Sequence, residues 1–363
     1  MKILHIGQLI GGLDIYIRNS ITYSNNYYEY IIIHGKDDNN KPIIKNGKIV
    51  QEYLIDLHRN LNIWKDLKCL IQVVKIIYQE KPNIIHCHSA KGGFIGRVSG
   101  FLTNTRTYYT PHAFSFLSTP NKIKKCIYLF LERMAKLNSY MLACSDSERR
   151  LGIQQVHYKK DKALVWNNSV PKPTDIIEQN EINSPYICYI GRPSYQKNTL
   201  FFVDVVKKVH KFIPNLKFLL LGVGFYSPDL EETKNKIKEY RLEDVIILKP
   251  WLNHSETMGY VSKSILYLSV SKYEGLPLAI IEAMSLGKAI IASDVVGNKD
   301  CVINEYNGYL ISHDVDKFAE KITQLVNNEE QRIQYETNSI VLFKKQFNIF
   351  NKIKELEYIY HIQ

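Results

Sequence analysis

The sequence predicts an α/β protein of two doubly wound parallel-sheet domains facing a crevice, and three observations predict it. Short apolar runs alternate with helical-period segments, the pattern of a parallel sheet covered on both faces. At 363 residues the chain exceeds one typical core. A polar stretch with three prolines and no regular period, PKPTDIIEQNEINSP at 171–185, interrupts the alternation and reads as a linker.

The elements follow in order. MKILHIG is a short strand, and Gly11 and Gly12 open a helix expected over 13–23. YEYIIIHG is the second strand. Residues 62–80 carry helical periodicity that stops at Pro82, where the chain must leave the helix. Strand NIIHCHS, a helix begun by AKGGFIGRVSGF, strand RTYYTPH closed by Pro111, a helix over 121–137 and strand SYMLACS complete the first half. After the linker come strand YICYIG, a helix over 199–212, strand LKFLLLG, a helix over 230–240 and strand VIILK. A helix over 256–263, strand ILYLSVS, an apolar helix within 277–287, strands AIIASD and GYLI, and helices over 315–327 and 343–360 end the chain.

Composition narrows the class. Hydrophobic residues make up 45% and charged residues 23%, as in a soluble globular protein. The six cysteines are scattered, with no CxxC pair or metal-ligand spacing, so packed, reduced thiols are expected. The N-terminus enters a strand at once without a basic n-region, so no signal peptide is expected. No apolar run approaches the ~18–20 residues that cross a bilayer, so any membrane contact is expected to be peripheral. Residues 1–170 carry 24 Lys+Arg against 12 Asp+Glu, whereas 171–363 carry 23 against 24. The basic half reads either as solvated lysines or as attraction to an anionic surface. Nucleic acid is disfavoured as that surface, because no helix-turn-helix, zinc or RNP-type signature accompanies the charge.

Three stretches carry candidate chemistry. Gly11 and Gly12 follow the first strand, but G-Q-L-I-G-G is not the G-x-G-x-x-G fingerprint. They read either as turn glycines or as a place where a phosphate reaches free amides at a helix N-terminus. In GRPSYQKN (191–198), Arg192 and Lys197 lie past the carboxyl end of strand YICYIG, where doubly wound sheets bind ligands. A forked guanidinium and a point charge there suit a diphosphate. In SKYEGLPLAIIEAMSLG (271–287), Pro277 suits the first helical position and Gly287 the C-terminal cap. The helix is apolar around nearly its whole circumference, with Glu282 its single charge. A buried carboxylate needs donors, either from protein or from ligand hydroxyls such as a ribose. Glu274 precedes the helix, and Glu282 stands ~7–8 Å up its axis from Pro277. Both are expected to face one crevice.

Taken jointly, E-G-L-P-L-A-I-I-E and the upstream Arg192 and Lys197 resemble the E-x7-E element of retaining GT-B glycosyltransferases, glycosyltransferase family 4 in particular. The resemblance covers nearly the whole chain, through Gly11-Gly12, TPHAFSF, ACSDSE, GRPSYQKN, LGVGF, NGYLI and the last helix. It departs at Leu276, where the family usually has an aromatic residue, and at Asn167-Asn168, where it has N-G. Asn tolerates left-handed backbone nearly as well as Gly.

What the resemblance implies is specific. Residues 1–170 would be the acceptor-binding domain, 171–185 the linker, 186–342 the nucleotide-sugar-binding domain and 343–363 a helix crossing back to the first. Arg192 and Lys197 would hold the nucleotide diphosphate and Glu282 the ribose. Glu274 with Gly275, Leu276, Pro277 and Leu278 would hold the donor sugar. Gly11 and Gly12 would meet the diphosphate from the other domain, and the base would lie near Trp251 and Leu252. His112 is similar to the family's histidine near sugar and acceptor. His112, Arg192, Lys197 and Glu274 would then form the catalytic set, working by electrostatic stabilisation of the departing diphosphate. Attack would come from the same face, with a donor phosphate oxygen taking the acceptor proton. No metal or other cofactor is implied, since no D-x-D motif is expected in the chain and Arg192 and Lys197 take the ion's place; the co-substrate is a nucleotide sugar, UDP favoured slightly over GDP.

The acceptor side is expected to be a polyprenyl-diphosphate-linked glycan or an oligosaccharide, in capsule, O-antigen or exopolysaccharide assembly. Lys91 and Arg97, in HSAKGGFIGR, read as contacts to its pyrophosphate or as ordinary surface charge. Lys122, Lys124 and Lys125 precede an apolar run, which suits either an interfacial helix or a core helix with a charged start. The expected location is cytoplasmic, peripheral on the anionic inner face of the cytoplasmic membrane. The rivals are a nucleotide-sugar epimerase of the same fold, a non-catalytic nucleotide-sugar-binding protein, and a glycoside hydrolase. The hydrolase explains the glutamates but neither cation.

Overall fold

The computed structural model describes residues 1–36, 41–57, 62–179, 181–224 and 227–361. Asn180 of the linker and Phe225 of LGVGF lie outside them. The chain divides into two compact units, Met1–Ser169 with Ile349–Gln363, and Val170–Asn348.

The first unit runs β1 (Lys2–Ile6), α1 (Gly12–Tyr23), β2 (Glu29–Gly35), a small hairpin of β3 (Ile44–Lys45) and β4 (Lys48–Ile49), then β5 (Gln51–Ile55) and α2 (Ile63–Glu80). It continues through β6 (Ile84–His88), α3 (Ser89–Leu102), β7 (Arg106–Thr110), α4 (Lys122–Ala135), β8 (Tyr140–Ala143), α5 (Asp146–Leu151) and β9 (Ala163–Val165). Among the described residues its sheet has seven parallel strands in the order β5-β2-β1-β6-β7-β8-β9.

The second unit runs β10 (Tyr186–Ile190), α6 (Thr199–His210), β11 (Lys217–Val223), α7 (Leu230–Glu239), β12 (Ile246–Pro250), α8 (His254–Lys263) and β13 (Tyr267–Ser269). It ends with α9 (Leu278–Ser285), β14 (Ile290–Ser293), α10 (Asn298–Cys301), β15 (Gly308–Ile311), α11 (Val315–Asn327) and α12 (Glu329–Leu342). Among the described residues its sheet has six parallel strands in the order β12-β11-β10-β13-β14-β15. The last helix, α13 (Ile349–His361), belongs to the first unit. Both sheets are doubly wound and parallel, as expected.

Burial explains the patterns. Every residue of β6 is buried, and β1, β2, β10 and β11 are buried over most of their length, as strands covered on both faces must be. In the first unit, one core gathers Leu4, Ile33, Val73 and Met141, and another gathers Ile3, Ile17, Trp166 and Tyr360. Helix α13 builds part of the second: Ile349, Ile353 and Leu356 lie in it, and Trp166 Nε1 donates to Lys352 O at 2.8 Å. Helix starts are capped: Asn62 accepts from Lys65 N, Asn121 from Lys124 N, and Asn253 with Glu256 forms a capping box.

Several elements differ from expectation. Helix α8 begins at His254 rather than residue 256, because the Asn253 cap recruits the preceding turn. Pro277 is the N-cap of α9, with ψ at 111°, rather than its first helical residue. The single closing helix expected over 343–360 is broken: Phe343–Phe347 forms a wide turn, and Asn348 is extended where it pairs with Val170. Strands β5 and β9, and helices α5, α10 and α12, were not anticipated. Strand β5 lies at the sheet edge and is largely polar, while β9 and α10 are too short to show a period.

Candidate functional site

In the second unit, the loop after β10 and the start of α9 come together. Lys197 Nζ lies 2.6 Å from Glu274 Oε1, and Gln196 Nε2 donates to Glu274 Oε2 at 3.0 Å. Lys272 N donates to Gln196 O at 2.8 Å and Glu274 N to Val296 O at 3.0 Å, which fixes the backbone that aims Glu274. Gly297 permits this closeness: its φ is +85°, and a Cβ there would stand 2.9 Å from Glu274 backbone. Glu274 is buried, and so are Gly275, Leu276, Pro277 and Leu278 in the turn that follows it. Arg192 lies near enough to Tyr273 to act on its phenol. The structure therefore brings Arg192, Lys197 and Glu274 to one end of the sheet.

Glu282 is buried on α9, as its apolar helix demands. Its Oε1 meets His254 Nε2 at 2.9 Å, and Oε2 carries no protein partner among the described residues. The hydrogen bond to Glu282 raises the His254 pKa above its ordinary value, while partial burial opposes it. Sequence reasoning missed His254 and Gln196. The Asn253-x-x-Glu256 capping box was a usable signal for the first, since it starts a helix at His254. Trp251 directly follows β12 with an exposed indole, and Leu252 after it is half-buried. Contrary to expectation the sequence does hold one D-x-D, Asp314-Val315-Asp316, at the start of α11, where the Asp314 carboxylate accepts from Asp316 N and Lys317 N as an N-cap.

The first unit holds the other candidates. Gly11 is the N-cap of α1 with φ at 59° and ψ at −132°, a conformation that a turn here requires of glycine. Gly12 begins α1 and is exposed, while Asp14 in the same turn is tied to Arg18 at 2.7 Å. His112 follows β7 in left-handed backbone, φ 52°, as does Ala113, φ 74°. The Glu148 carboxylate holds this turn by accepting from Ala113 N at 2.7 Å and Cys144 N at 2.8 Å. Burial pushes the His112 pKa down to about 3, so the ring is neutral.

One expectation needs correction. Arg97 is not a surface cation for an acceptor. It is 2% exposed, its Nη2 is 2.9 Å from Glu132 Oε2, its Nε donates to Gly93 O, and its guanidinium stacks 3.7 Å over Tyr109. A buried guanidinium must be paired, and α4 supplies the partner. Lys91 lies on the same helix, with its Nζ 2.5 Å from Asp66 of α2.

Two family profiles span this chain: "Glycosyl transferases group 1" matches residues 173–340, and "Glycosyltransferase Family 4" matches 10–172. The Escherichia coli protein named UDP-Gal:alpha-D-GlcNAc-diphosphoundecaprenol alpha-1,3-galactosyltransferase is 30% identical over 84% of this chain and 81% of its own. The Staphylococcus aureus capsular polysaccharide biosynthesis glycosyltransferase CapM is 24% identical over 88% of both. Among solved structures, Anabaena HepE in complex with UDP and glucose superposes with a TM-score of 0.81 at 16% identity, covering all of both chains. Sucrose-phosphate synthase from Thermosynechococcus elongatus gives 0.82 at 18%, covering 99% of this chain and 98% of that one.

Proposed function

The chain belongs to the GT-B glycosyltransferases of family 4, and from that membership we propose its reaction: retaining, metal-independent transfer of a hexose or N-acetylhexosamine from a UDP-sugar to a polyprenyl-diphosphate-linked glycan. The setting is capsule, O-antigen or exopolysaccharide assembly. The observation that carries the donor reading is Glu282, a carboxylate buried in an apolar helix with Oε2 left for a ligand hydroxyl. A ribose diol supplies the donors such an oxygen needs.

The remaining roles follow from charge. Arg192 and Lys197 balance the diphosphate, Lys197 leaving Glu274 as the phosphates arrive. Glu274 then accepts from sugar hydroxyls. The bond between sugar C1 and the diphosphate oxygen breaks, its electron pair going to the diphosphate. The acceptor oxygen bonds to C1 from the same face, and its proton passes to the departing phosphate. The two cations and the amides before α9 stabilise the charge that develops. The polyprenyl acceptor is supported by likeness to the E. coli galactosyltransferase, whose name includes one. His112 acts near sugar and acceptor, with Lys91 toward the acceptor pyrophosphate.

Attachment to an anionic inner membrane face is supported by two helices that both pack on α3. On α4, Ile123, Ile127, Phe130 and Met134 are exposed at spacings of four, three and four, so they share one face, with Lys122, Lys124 and Lys125 at its start. On α2, Ile63, Trp64, Leu67 and Ile71 are exposed as well. No helix among the described residues is long and apolar enough to cross a membrane.

The test offers UDP-Gal, UDP-GlcNAc, UDP-Glc and GDP-mannose in turn, with undecaprenyl-diphosphate-GlcNAc and EDTA, and reads the product anomer by NMR. One UDP-sugar is expected to give an α-linked product. A β-linked product sinks retention, and activity lost to EDTA sinks metal independence. Donor turnover without acceptor would indicate an epimerase, and binding without turnover a non-catalytic protein.

A further inference from the structure

Four histidines meet inside the first unit. His5 of β1 is in register with His86 of β6, His88 ends the same strand, and His112 follows β7. His5, His86 and His88 are fully buried. His86 has both nitrogens occupied, Nδ1 by Tyr360 OH at 2.7 Å and Nε2 by Thr110 Oγ1 at 2.8 Å. The other three form a chain. His5 Nδ1 is 2.9 Å from His88 Nε2, His88 Nδ1 is 3.2 Å from His112 Nε2, and His112 Nδ1 is 3.4 Å from Cys144 Sγ.

These rings share more than a location. A neutral imidazole has one N–H and one lone pair, so in a ring-to-ring chain every ring must donate in the same direction. Burial keeps the rings neutral, with His5 and His112 pushed down to about 3 and His88 well below its ordinary value.

The unpaired end of the chain gives the direction. At the far end, His5 Nε2 is buried without a partner among the described residues. An unpaired lone pair is better tolerated there than an unpaired N–H. This makes each ring the Nδ1–H tautomer, donating from His5 to His88 to His112 to Cys144. A metal ion would have to break these bonds and the two His86 bonds, and the stacked His5 and His88 rings, 9° from parallel, do not converge on one point.

We propose that His88, backed by His5, is a positioning residue for transfer: it holds the His112 ring and fixes its tautomer. Both His112 nitrogens are thereby held from the protein side, which fixes the orientation of the ring as well as its proton pattern. This rests on the reading of His112 as a residue near sugar and acceptor. Tyr16 completes the seat, its ring edge-on to His112 at 4.6 Å.

The test compares His88→Asn, His88→Gln and His88→Leu. Asn places a donor amide where Nδ1 stood and so still reaches His112, whereas Gln places its amide where Nε2 stood and reaches only His5. His88→Leu and His88→Gln are expected to lose about 10-fold or more in kcat with donor KM within about 2-fold, and His88→Asn to recover most of it. Nitrogen-15 imidazole spectra are expected to show His112 protonated at Nδ1 in the wild type and in His88→Asn, and a mixture of tautomers in the other two. Equal rescue by Gln and Asn, or His112 nitrogens unmoved in all three, overturns the proposal. If His112→Ala transfers at the wild-type rate, the role of His112 itself fails, while the spectra still decide whether His88 sets its tautomer.

Discussion

At the scale of single residues, the proposed reading divides binding, at Glu282, from transfer, at His112. Glu282→Ala should weaken UDP binding about 10–100-fold by calorimetry, the range for losing hydrogen bonds to a charged, desolvated partner. His112→Ala should bind UDP normally and lose about 100-fold in kcat, the lower range for a polar group at a reacting centre. Unchanged UDP affinity in Glu282→Ala would refute the ribose reading. His254 gives a pH signature of the same carboxylate. Its folded pKa is raised by Glu282, so the pair stabilises fully below the ordinary pKa of ~6.5 and is lost as pH rises through the raised value. Its side chain is 53% exposed, which keeps the effect small. His254→Ala should therefore lower Tm by about 1–2 °C near pH 5.5 and by nothing near pH 9. A difference that grows toward alkaline pH would have the wrong sign. Arg97→Ala should cost about 3–5 kcal/mol in denaturant unfolding, because it strands Glu132 inside the core. A normally stable Arg97→Ala with impaired acceptor KM would restore the surface reading.

Elements explain why these residues stand where they do. Helix α9 has no polar face to offer water, so its one carboxylate is forced inward. Helix α4 does the opposite: its apolar stripe faces out, and a row of lysines starts it. In a protein core those side chains would be covered, and each fully exposed one forgoes about 1.5–3 kcal/mol of burial. The double change Ile127→Asp with Phe130→Asp should shift the protein from anionic vesicles to the soluble fraction at least about 10-fold in flotation. Raising salt should weaken wild-type binding through the lysines. Full vesicle binding by the double variant would remove α4 from the interface.

Across the whole molecule, the two units follow different contacts from those of chain order. The last helix packs into the first unit, burying Ile349, Ile353, Leu356, Ile359 and Tyr360 there, and its Tyr360 hydroxyl bonds His86. Removing five such side chains costs about 8–15 kcal/mol, comparable to the whole stability of a domain. A chain ending at Asn348 should lose the first unit's resistance to limited proteolysis while the second unit, 170–348, stays protected. Equal protection of both units would show that α13 is dispensable.

The sequence by itself determined the periodicities and the chemistry attached to them. Two parallel α/β sheets were legible because strands buried on both faces read as unbroken apolar runs. Glu274, Glu282, Arg192 and Lys197 were legible as a candidate set because they sit at the ends of those strands and on an apolar helix. Only the tertiary structure decided what each charge meets. Arg97 and Lys91 share one helix and similar local sequence, yet the first is sealed against Glu132 and the second lies against Asp66. His254 joins Glu282 from 28 residues away, and His5, His88 and His112 meet across three separate segments. Local pattern records which way a side chain faces along its own element. Partners brought in from distant elements depend on strand order and packing, and no period in the sequence encodes those.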